Sequence, residues 1–517
     1  MNDAISFFFV WGVWLITPML VDGVDAVSRL VVVWRSQKSE SKRDKVEDWQ
    51  LPRISVIVPA HNEEAVIDRC LYSLKAQDYP SDKLEIIVVD DGSTDATAER
   101  VDDHVNGEGS GNGYRLRGKP IKIGPFSGRI TLIKNGHAGK AHTLNAGIRA
   151  SDGEIIVNID SDVVLAYDAI RRIAEAFVRD PEMGAATGNI EIDWDVLEER
   201  DEDGRVVLDE DGHIVAKKLS AMERFLATSQ FLEYLCAFDL GRRSQAVTGT
   251  LYTLAGACSA FRRDMVGQGL EYDNTSVSED TNLTFDLHRR GVKIGFVSDA
   301  RIYLEPVVEW DALYAQRVRW ARGQIEVCGL NEDLVGAPSG QFGKFALPKM
   351  LLLDHTMAFP RLVWAPLLLF FPLIGYPWRI VALALIAMYA FYLLIEVVNA
   401  AVVSTMADDH TKSRLEDAIW AIIGMPIYRF FVFHFRFSGF LVTFTEKQQW
   451  TVSGPVQTTR NDLQTLRLRA VEIVTMLSTV TAALALWATR NAQMIIGPAL
   501  AGLILSTLDR LPLKKWW

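Results

Sequence analysis

Hydrophobic residues gather at the two ends of the chain and leave a mixed central region between them. Residues 4–21 form eighteen consecutive positions without a charge, and the apolar stretch continues to Trp34. Further apolar runs follow the central region, at 358–376, 380–403, 418–443, 470–488 and 494–508. A helix needs about 20 apolar residues to cross the hydrocarbon core of a bilayer. The pattern therefore predicts a membrane protein with an N-terminal anchor and several C-terminal helices.

The N-terminal run has a secretory signal peptide as its alternative interpretation. No basic segment precedes the run and no clean small-residue cleavage site follows it, which favours a retained anchor. The basic segment 35–45 is then predicted to be cytoplasmic. Because 447–469 and 510–515 are also basic, five C-terminal spans would place the tail on the wrong side. We expect one run to be interfacial or re-entrant, either the Pro-rich 347–377 or the charged 418–443.

The central region alternates short apolar strands with amphipathic helices. Residues 54–59 and 84–89 are β-branched runs ended by turn residues, and 63–77 between them has helical periodicity. The order recurs with a strand at 130–133, a helix through 142–150 and a strand at 154–159. Such units predict an α/β fold, with a mostly parallel sheet and helices on both faces.

The predicted organisation has five parts. They are a transmembrane anchor at 1–34, a basic cytoplasmic linker at 35–53, a cytoplasmic domain at 54–345, transmembrane and interfacial helices at 346–510, and a cytoplasmic tail at 511–517. The 517-residue chain is 49% hydrophobic with a net charge of −11, which excludes a disordered chain and argues against a nucleic-acid binder. Because the cysteines lack metal-ligand spacing, we expect reduced thiols at Cys70, Cys236, Cys258 and Cys328.

Carboxylates follow two of the predicted strands. Asp90 and Asp91 come after the second strand, and Asp160 and Asp162 come after the fourth. Ligands of parallel α/β sheets bind beyond the carboxyl ends of the strands. Two carboxylates one residue apart can converge on a divalent cation, and hard oxygen ligands suit Mg²⁺ or Mn²⁺. Each pair, taken alone, also fits an ordinary solvated turn.

A further predicted helix opens with a hydroxyl and two acids. Ser278 can cap this helix, and Glu279 and Asp280 in its first turn favour the helix dipole. An ordinary N-cap is therefore one interpretation. The other is a carboxylate presented from a fixed helix start, as a general base requires.

A later predicted helix has a polar face with an aromatic member. Gln316, Arg319 and Trp320 share this face at positions i, i+3 and i+4. A guanidinium pairs with phosphate oxygens and an indole covers the apolar face of a sugar ring, so the face suits a sugar phosphate. The alternative is a packed tryptophan beside a surface arginine.

Together these motifs resemble the membrane-embedded processive family 2 glycosyltransferases, which include cellulose, hyaluronan, chitin-oligosaccharide and poly-N-acetylglucosamine synthases. The resembling segments are 58–64, 89–95, 139–147, 158–162, 254–262, 278–291 and 316–323. The stretches 252–263 and 354–364 look most like a Gram-positive branch of exopolysaccharide synthases. The resemblance implies a GT-A-type fold flanked by transmembrane helices. It also implies an inverting hexosyltransferase that moves sugar from a UDP-sugar to a growing β-linked polysaccharide and translocates the product.

The resemblance also assigns roles to individual residues. Asp280 is implied as the general base, with Glu279 and Asp160 beside it at the catalytic centre. Metal binding is implied for Asp162 and Asp160, with Mg²⁺ or Mn²⁺ as the cofactor. Binding of the nucleotide sugar is implied for Ala60, Asn62, Glu63, Asp91, Lys140, Asp160 and Arg319. Acceptor binding is implied for Trp320, Gln316, Gly256 and Cys258. Ser278 stands where the family usually has threonine, and 255–258 departs from the family's acceptor segment.

The expected partners are a UDP-sugar donor, a growing glycan acceptor and the lipid bilayer, but no nucleic acid; accessory export subunits stay open. The expected location is the plasma membrane, with several spans and a cytoplasmic catalytic domain. One alternative is a non-processive glycosyltransferase that acts on a lipid-linked acceptor, although such enzymes generally lack the Q-x-x-R-W helix. A catalytically silent membrane scaffold is a second alternative, and the intact acidic motifs argue against it.

Overall fold

The computed structural model describes residues 16–40, 46–107, 126–334 and 371–445, with a few isolated positions between these ranges. Short gaps fall at 202–205, 208, 210–214, 267–268 and 274. The apolar runs predicted at 470–488 and 494–508 lie outside the described residues, as do residues 1–15 and most of 347–367. The description therefore covers the central domain and the helices that pack beside it.

Eight strands form one mixed sheet in the order β3-β2-β1-β4-β7-β6-β8-β5. The strands are β1 Ile54–Ala60, β2 Leu84–Asp91, β3 Arg129–Asn135, β4 Ile155–Ile159, β5 Val164–Leu165, β6 Met183–Ile192, β7 Cys258–Arg262 and β8 Lys293–Leu304. Strands β3, β2, β1 and β4 are parallel, as are β6 and β8. Strand β7 is antiparallel to both β4 and β6, and β5 is antiparallel to β8. Four of the seven pairings are therefore parallel, in agreement with the predicted α/β class.

Twelve helices are named here in chain order. They are α1 Thr17–Glu40, α2 Ile67–Lys75, α3 Thr97–Val105, α4 Lys140–Ala150, α5 Ala169–Arg179, α6 Ala221–Tyr234, α7 Arg242–Thr248, α8 Glu279–Arg289, α9 Trp310–Leu330, α10 Trp378–Met406, α11 Asp409–Ala418 and α12 Met425–Thr445. A π-helical segment, Leu235–Gly241, joins α6 to α7, and α7 ends at Gly249 in the left-handed conformation. A π-turn inserts an extra residue into a helix and often marks a functional site.

The sheet is buried on both faces. Along β1, Val56 and Val58 belong to one hydrophobic cluster and Ile57 belongs to another. Helix α2 covers the first face with Leu71, and α4 covers the second with Leu144. Successive side chains of a strand point to opposite faces, so a continuous apolar run such as β1 requires cover on both sides.

Two helical stretches beyond the domain are long and apolar enough to cross a membrane: α10 at Trp378–Met406, and Asp409–Thr443, which runs from α11 through a 3-10 turn into α12. They coincide with two of the predicted apolar runs, and only 11% of the first apolar window is buried in the protein. Leu383 and Ile386 of α10, for example, are 66% and 64% exposed. Helix α1 ends at Glu40, so it continues beyond Trp34 into the segment predicted as a linker.

Helix α9 packs closely against α12. A Cβ atom added at Gly439 of α12 would lie 2.7 Å from the Cβ of Ala321 and 2.8 Å from the carbonyl oxygen of Val318. Helices α10 and α12 are joined by an ion pair in which Arg429 donates to both carboxylate oxygens of Glu396. These contacts hold the apolar helices against the element that carries the Q-x-x-R-W motif.

Candidate active site

A cavity of about 420 Å³ adjoins the carboxyl ends of the central strands. Strand β4 leads into Asp160 and Asp162, α4 begins at Lys140, and α8 begins with two acids. The cavity brings together nine of the residues predicted from the sequence, namely Lys140, Asp160, Asp162, Gly256, Glu279, Asp280, Gln316, Arg319 and Trp320.

The centre of the cavity is a compact group of one lysine, one glycine and three carboxylates. The Nζ atom of Lys140 lies 2.6 Å from Oδ1 of Asp160 and 3.9 Å from Oε1 of Glu279. The backbone N–H of Gly256 donates to Oδ2 of Asp280 at 3.1 Å. A Cβ atom at Gly256 would lie 3.3 Å from the lysine Nζ and 3.7 Å from carboxylate oxygens of Asp160 and Asp280. Glycine therefore lets the loop approach these charged groups.

Crowding of the acids changes their pKa values. Burial, opposed by the charge of Lys140, raises the pKa of Glu279 to about 7 and also raises that of Asp280. Burial and the charge of Asp160 raise the pKa of Asp162 to about 6. Burial and the charges of Asp162 and Asp160 raise the pKa of Glu63 to about 7. These acids therefore retain their protons to a higher pH than free carboxyl groups do.

This donor set fits a hard divalent cation. Asp160 and Asp162 offer carboxylate oxygens, and the side chain of Asp162 is accessible from the cavity. Carboxylate oxygens are the ligands that Mg²⁺ and Mn²⁺ prefer.

A second group that could hold a metal lies at the end of β2. The ligand atoms of His61, Asp91 and His137 lie within 4.8 Å of one another. The two imidazole rings stack at a centroid distance of 4.4 Å. Both carboxylate oxygens of Asp91 already accept backbone N–H groups, from Ala138 at 2.8 Å and Gly139 at 3.0 Å. Although burial opposes it, these hydrogen bonds lower the pKa of Asp91. Imidazole ligands suit a transition metal better than Mg²⁺.

The residues predicted to bind the nucleotide lie on the neighbouring strand ends. Ala60 ends β1, and Asn62 after it adopts a left-handed φ of 57°. The side-chain oxygen of Asn62 accepts the backbone N–H of Thr94 at 2.8 Å, and the N–H of Glu63 donates to the hydroxyl of Thr97 at 2.8 Å. These hydrogen bonds hold the loops after β1 and β2 together.

Helix α9 presents its predicted face to the cavity through Gln316, Arg319 and Trp320. Arg317, which follows Gln316, was not part of the predicted face, and it is fully buried. Its Nη2 donates to Oε2 of Glu233 at 2.6 Å, and the hydroxyl of Tyr428 donates to the same oxygen at 2.8 Å. Its guanidinium also lies 4.4 Å from the ring of Trp320. Arg317 therefore packs against the Trp320 ring and holds it in position.

Two sequence-based expectations need correction. Cys258 is completely buried at the start of β7 and belongs to the core, so it does not line the cavity as an acceptor contact would. Ser278 makes no side-chain capping hydrogen bond; its hydroxyl instead lies where a Cβ atom of Gly323 would be.

Several residues of the site carried no recognised signal in the sequence. His61 and His137 flank the predicted carboxylate Asp91, and a search for imidazoles near motif acids would have found them. Glu233 and Arg242 reach the cavity from helices between the motifs, where no local pattern marks them.

The α/β sheet carries paired carboxylates at its carboxyl edge, with a lysine and an acid-first helix beside them, as the predicted GT-A-type fold requires. Residues 55–269 match the family described as Glycosyl transferase family 2, and residues 211–407 match Glycosyl transferase family group 2. Together the two matches span residues 55–407 of the chain.

Known proteins resemble this chain over the same region. It is 26% identical to the probable glycosyltransferase YdaM of Bacillus subtilis (strain 168), over 62% of this chain and 65% of that protein. It is 26% identical to the poly-β-1,6-N-acetyl-D-glucosamine synthase of Staphylococcus aureus (strain COL), over 56% of this chain and 58% of that protein. The chain thus spans less than two thirds of the length of these relatives.

A solved structure shares the fold. The mannosyltransferase PcManGT from Pyrobaculum calidifontis, in complex with GDP-Man and Mn²⁺, is 20% identical, with a TM-score of 0.50. The match covers 78% of this chain and 98% of the mannosyltransferase. At this identity the likeness concerns the fold alone, and it confirms the predicted GT-A-type architecture.

Proposed function

We propose that this protein is an inverting glycosyltransferase that transfers sugar from a UDP-sugar to the end of a growing β-linked glycan at a membrane. The observation that carries the proposal is the convergence of Lys140, Asp160, Asp280 and the α9 face on one cavity. Basic groups beside a metal-binding carboxylate pair suit a diphosphate leaving group, and a fixed carboxylate suits proton abstraction.

Asp160 and Asp162 would hold Mg²⁺ or Mn²⁺, which supplies positive charge for the diphosphate. Lys140 and Arg319 add cationic charge from the protein itself. Burial lowers the pKa of Arg319, and the charges of Glu279 and Asp160 oppose that effect, so the guanidinium lies among the cavity's acids. Placing fixed charges where charge develops is the largest demand of such a reaction.

Asp280 serves as the general base in this scheme. Its Oδ2 accepts the N–H of Gly256 at 3.1 Å, and its Oδ1 accepts the N–H of Thr281 at 2.6 Å. These hydrogen bonds fix the carboxylate, and its raised pKa brings it closer to neutrality, where a base is most effective. Asp280 takes the proton of an acceptor hydroxyl as that oxygen attacks the anomeric carbon and the bond to UDP breaks. One displacement inverts that carbon.

The nucleotide would lie over the strand ends that carry Ala60, Asn62, Glu63 and Asp91. Asp91 has a fixed orientation because two backbone N–H groups hold it. The stacked imidazoles of His61 and His137 offer an aromatic surface next to this carboxylate. Trp320 would cover the acceptor sugar from the opposite side of the cavity.

A membrane location and export of the product are part of the proposal. Helices α10 and α12 expose several large apolar side chains each, and such exposure suits contact with lipid. The likeness to a protein named poly-β-1,6-N-acetyl-D-glucosamine synthase makes UDP-N-acetylglucosamine the first donor to test. We place the catalytic domain on the cytoplasmic side of the plasma membrane.

Purified full-length protein in lipid should release UDP from a UDP-sugar in a manner that depends on Mg²⁺ or Mn²⁺. The Asp280→Asn variant should lose transfer by at least about 100-fold while its UDP affinity stays unchanged, because only the base is removed. Full turnover by this variant would eliminate Asp280 as the base. Product length separates the two modes of action: long glycans support processive synthesis, whereas addition of one sugar to a lipid-linked acceptor supports the alternative.

A further inference from the structure

Arg242 is a buried cation of the cavity that the scheme above does not use. It is the first residue of α7, directly after the π-helical segment, and only 5% of it is exposed. Its side chain nevertheless forms part of the cavity wall. A buried guanidinium needs a negatively charged group close to it, and the cavity is where such a group could bind.

The described residues engage only some of the donors of Arg242. Its Nη1 donates to the hydroxyl of Thr187 at 3.2 Å, and its guanidinium lies 4.5 Å from the ring of Phe238. Within the part of the chain that the structure describes, Arg242 forms no ion pair with a carboxylate. A guanidinium has five N–H donors, and a buried charge without a counter-charge is costly.

Two other cations of the same cavity are paired with carboxylates. Lys140 pairs with Asp160 at 2.6 Å, and Arg317 pairs with Glu233 at 2.6 Å. Among the described residues, Arg242 has no such carboxylate partner. Burial lowers its pKa to about 10, so the side chain still carries its charge at neutral pH.

The position of Arg242 is on the acceptor side of the cavity. The hydroxyl of Thr187 that accepts from Arg242 also accepts the N–H of Ala255 at 3.2 Å, one residue before Gly256. Among carboxylates, the charge of Asp280 acts most strongly on Arg242, whereas Arg319 is affected most by Glu279 and Asp160. Arg242 therefore lies near the proposed base and the loop beside it, where an acceptor hydroxyl has to approach.

The wall around Arg242 is polar. Hydroxyl and amide side chains that follow it along the chain line the same cavity, at Ser244, Gln245, Thr250, Tyr252 and Thr253. Such groups hydrogen-bond to sugar hydroxyls. They are all neutral, and Arg242 adds a positive charge to this part of the wall.

We propose that Arg242 binds an anionic oxygen group, a carboxylate or a phosphate, carried by the acceptor of the transfer reaction. The inference rests on the proposed glycosyltransferase function and adds the chemical class of its acceptor. A planar guanidinium binds a carboxylate or phosphate through two parallel hydrogen bonds. The acceptor is then an acidic glycan end or a phosphate-bearing lipid carrier.

The test compares acceptors with and without an anionic group, each offering a sugar hydroxyl as the attacking group. Two pairs serve: a neutral tetrasaccharide and the same tetrasaccharide ending in a uronate, and a polyprenyl glycoside and the corresponding polyprenyl phosphate glycoside. Wild-type protein should show an acceptor KM about 10- to 100-fold lower for one charged member than for its neutral partner, the range expected for a charged hydrogen bond. The pair that shows the difference identifies the source of the anion.

Variants of Arg242 complete the test. Arg242→Gln should abolish this preference by raising KM for the charged acceptor alone, and Arg242→Lys should retain part of it. Arg53→Gln is the matched control, since it removes one cation from an exposed pair whose side chains are 56% and 53% exposed. Its acceptor preference should equal that of wild type.

Two outcomes overturn the inference. One is equal KM values for neutral and charged acceptors in wild-type protein, which decides the matter even if Arg242→Gln fails to fold. The other is an Arg242→Gln defect of the same size with both acceptors, which would make Arg242 a packing residue. A failure of the proposed function looks different: no UDP would be released from any UDP-sugar by wild-type protein.

Discussion

The buried ion pair between Glu233 and Arg317 allows a quantitative prediction of stability. Glu233 lies in α6 and Arg317 in α9, their Oε2 and Nη2 atoms are 2.6 Å apart, and the side chains are 8% and 2% exposed. A Glu233→Gln substitution keeps the size of the side chain but leaves the guanidinium without this counter-charge. Removing one partner of a buried pair costs about 3–5 kcal/mol.

The assay is thermal unfolding of the full-length protein in detergent. A cost of about 3–5 kcal/mol should lower Tm by about 6–10 °C, at about 2 °C per kcal/mol for a large domain. Asp333→Asn is the control, because it breaks a pair with Arg289 at 2.9 Å in which the side chains are 60% and 41% exposed. An exposed pair contributes about 0–1 kcal/mol, so the control should lower Tm by no more than about 2 °C.

A double variant separates the charge effect from packing. Glu233→Gln combined with Arg317→Met removes both charges, so no uncompensated guanidinium stays buried, and most of the lost stability should return. The reasoning is refuted if Glu233→Gln is no more harmful than Asp333→Asn. It is equally refuted if the stability lost by the double variant equals the sum of the losses measured for Glu233→Gln and Arg317→Met separately.

Three further substitutions test other contacts. Gly323→Ala places a Cβ atom on the hydroxyl of Ser278, so stability should fall by about 1–3 kcal/mol in thermal unfolding, and adding Ser278→Ala should recover part of it. Gly256→Ala places a methyl group against Lys140 and the carboxylates around it. In a UDP-release assay kcat/KM should therefore fall about 10- to 100-fold. Unchanged kinetics would show that the loop can move aside. Burial lowers the pKa of His288 from 6.5 to about 4, so the folded state binds fewer protons than the unfolded state in this interval. Stability should therefore decline as pH falls from 6.5 towards 4, by up to about 3 kcal/mol, and His288→Gln should remove that slope; an unchanged slope would assign it to other groups.

The local elements of the domain could be predicted because their signals are local. Residues 54–59 predicted a strand that the structure extends by one residue to Ala60, and the helix expected through 142–150 begins at Lys140. The antiparallel strand β7 was not predictable in this way. It pairs Ser259 with Asn158, residues that are far apart in the chain, and only the closed sheet determines that pairing.

The same distinction divides the residues of the candidate site. Helical spacing placed Gln316, Arg319 and Trp320 on one face, and all three line the cavity. Arg317 lies off that face, and its burial depends on Glu233 of another helix. For Cys258 the sequence motif was misleading. Its place in the motif suggested an acceptor contact, but its position at the start of β7 directs its side chain into the core.

Helix α9 is the element through which the apolar helices contact the candidate active-site cavity. Its outer side packs against α12 at Gly439, and Tyr428 of α12 donates to the glutamate that holds Arg317. Arg317 in turn lies against the ring of Trp320. Any displacement of α12 must therefore move Trp320 or break buried polar contacts, and the second choice is costly. This arrangement keeps the proposed acceptor-binding tryptophan in fixed register with the apolar helices.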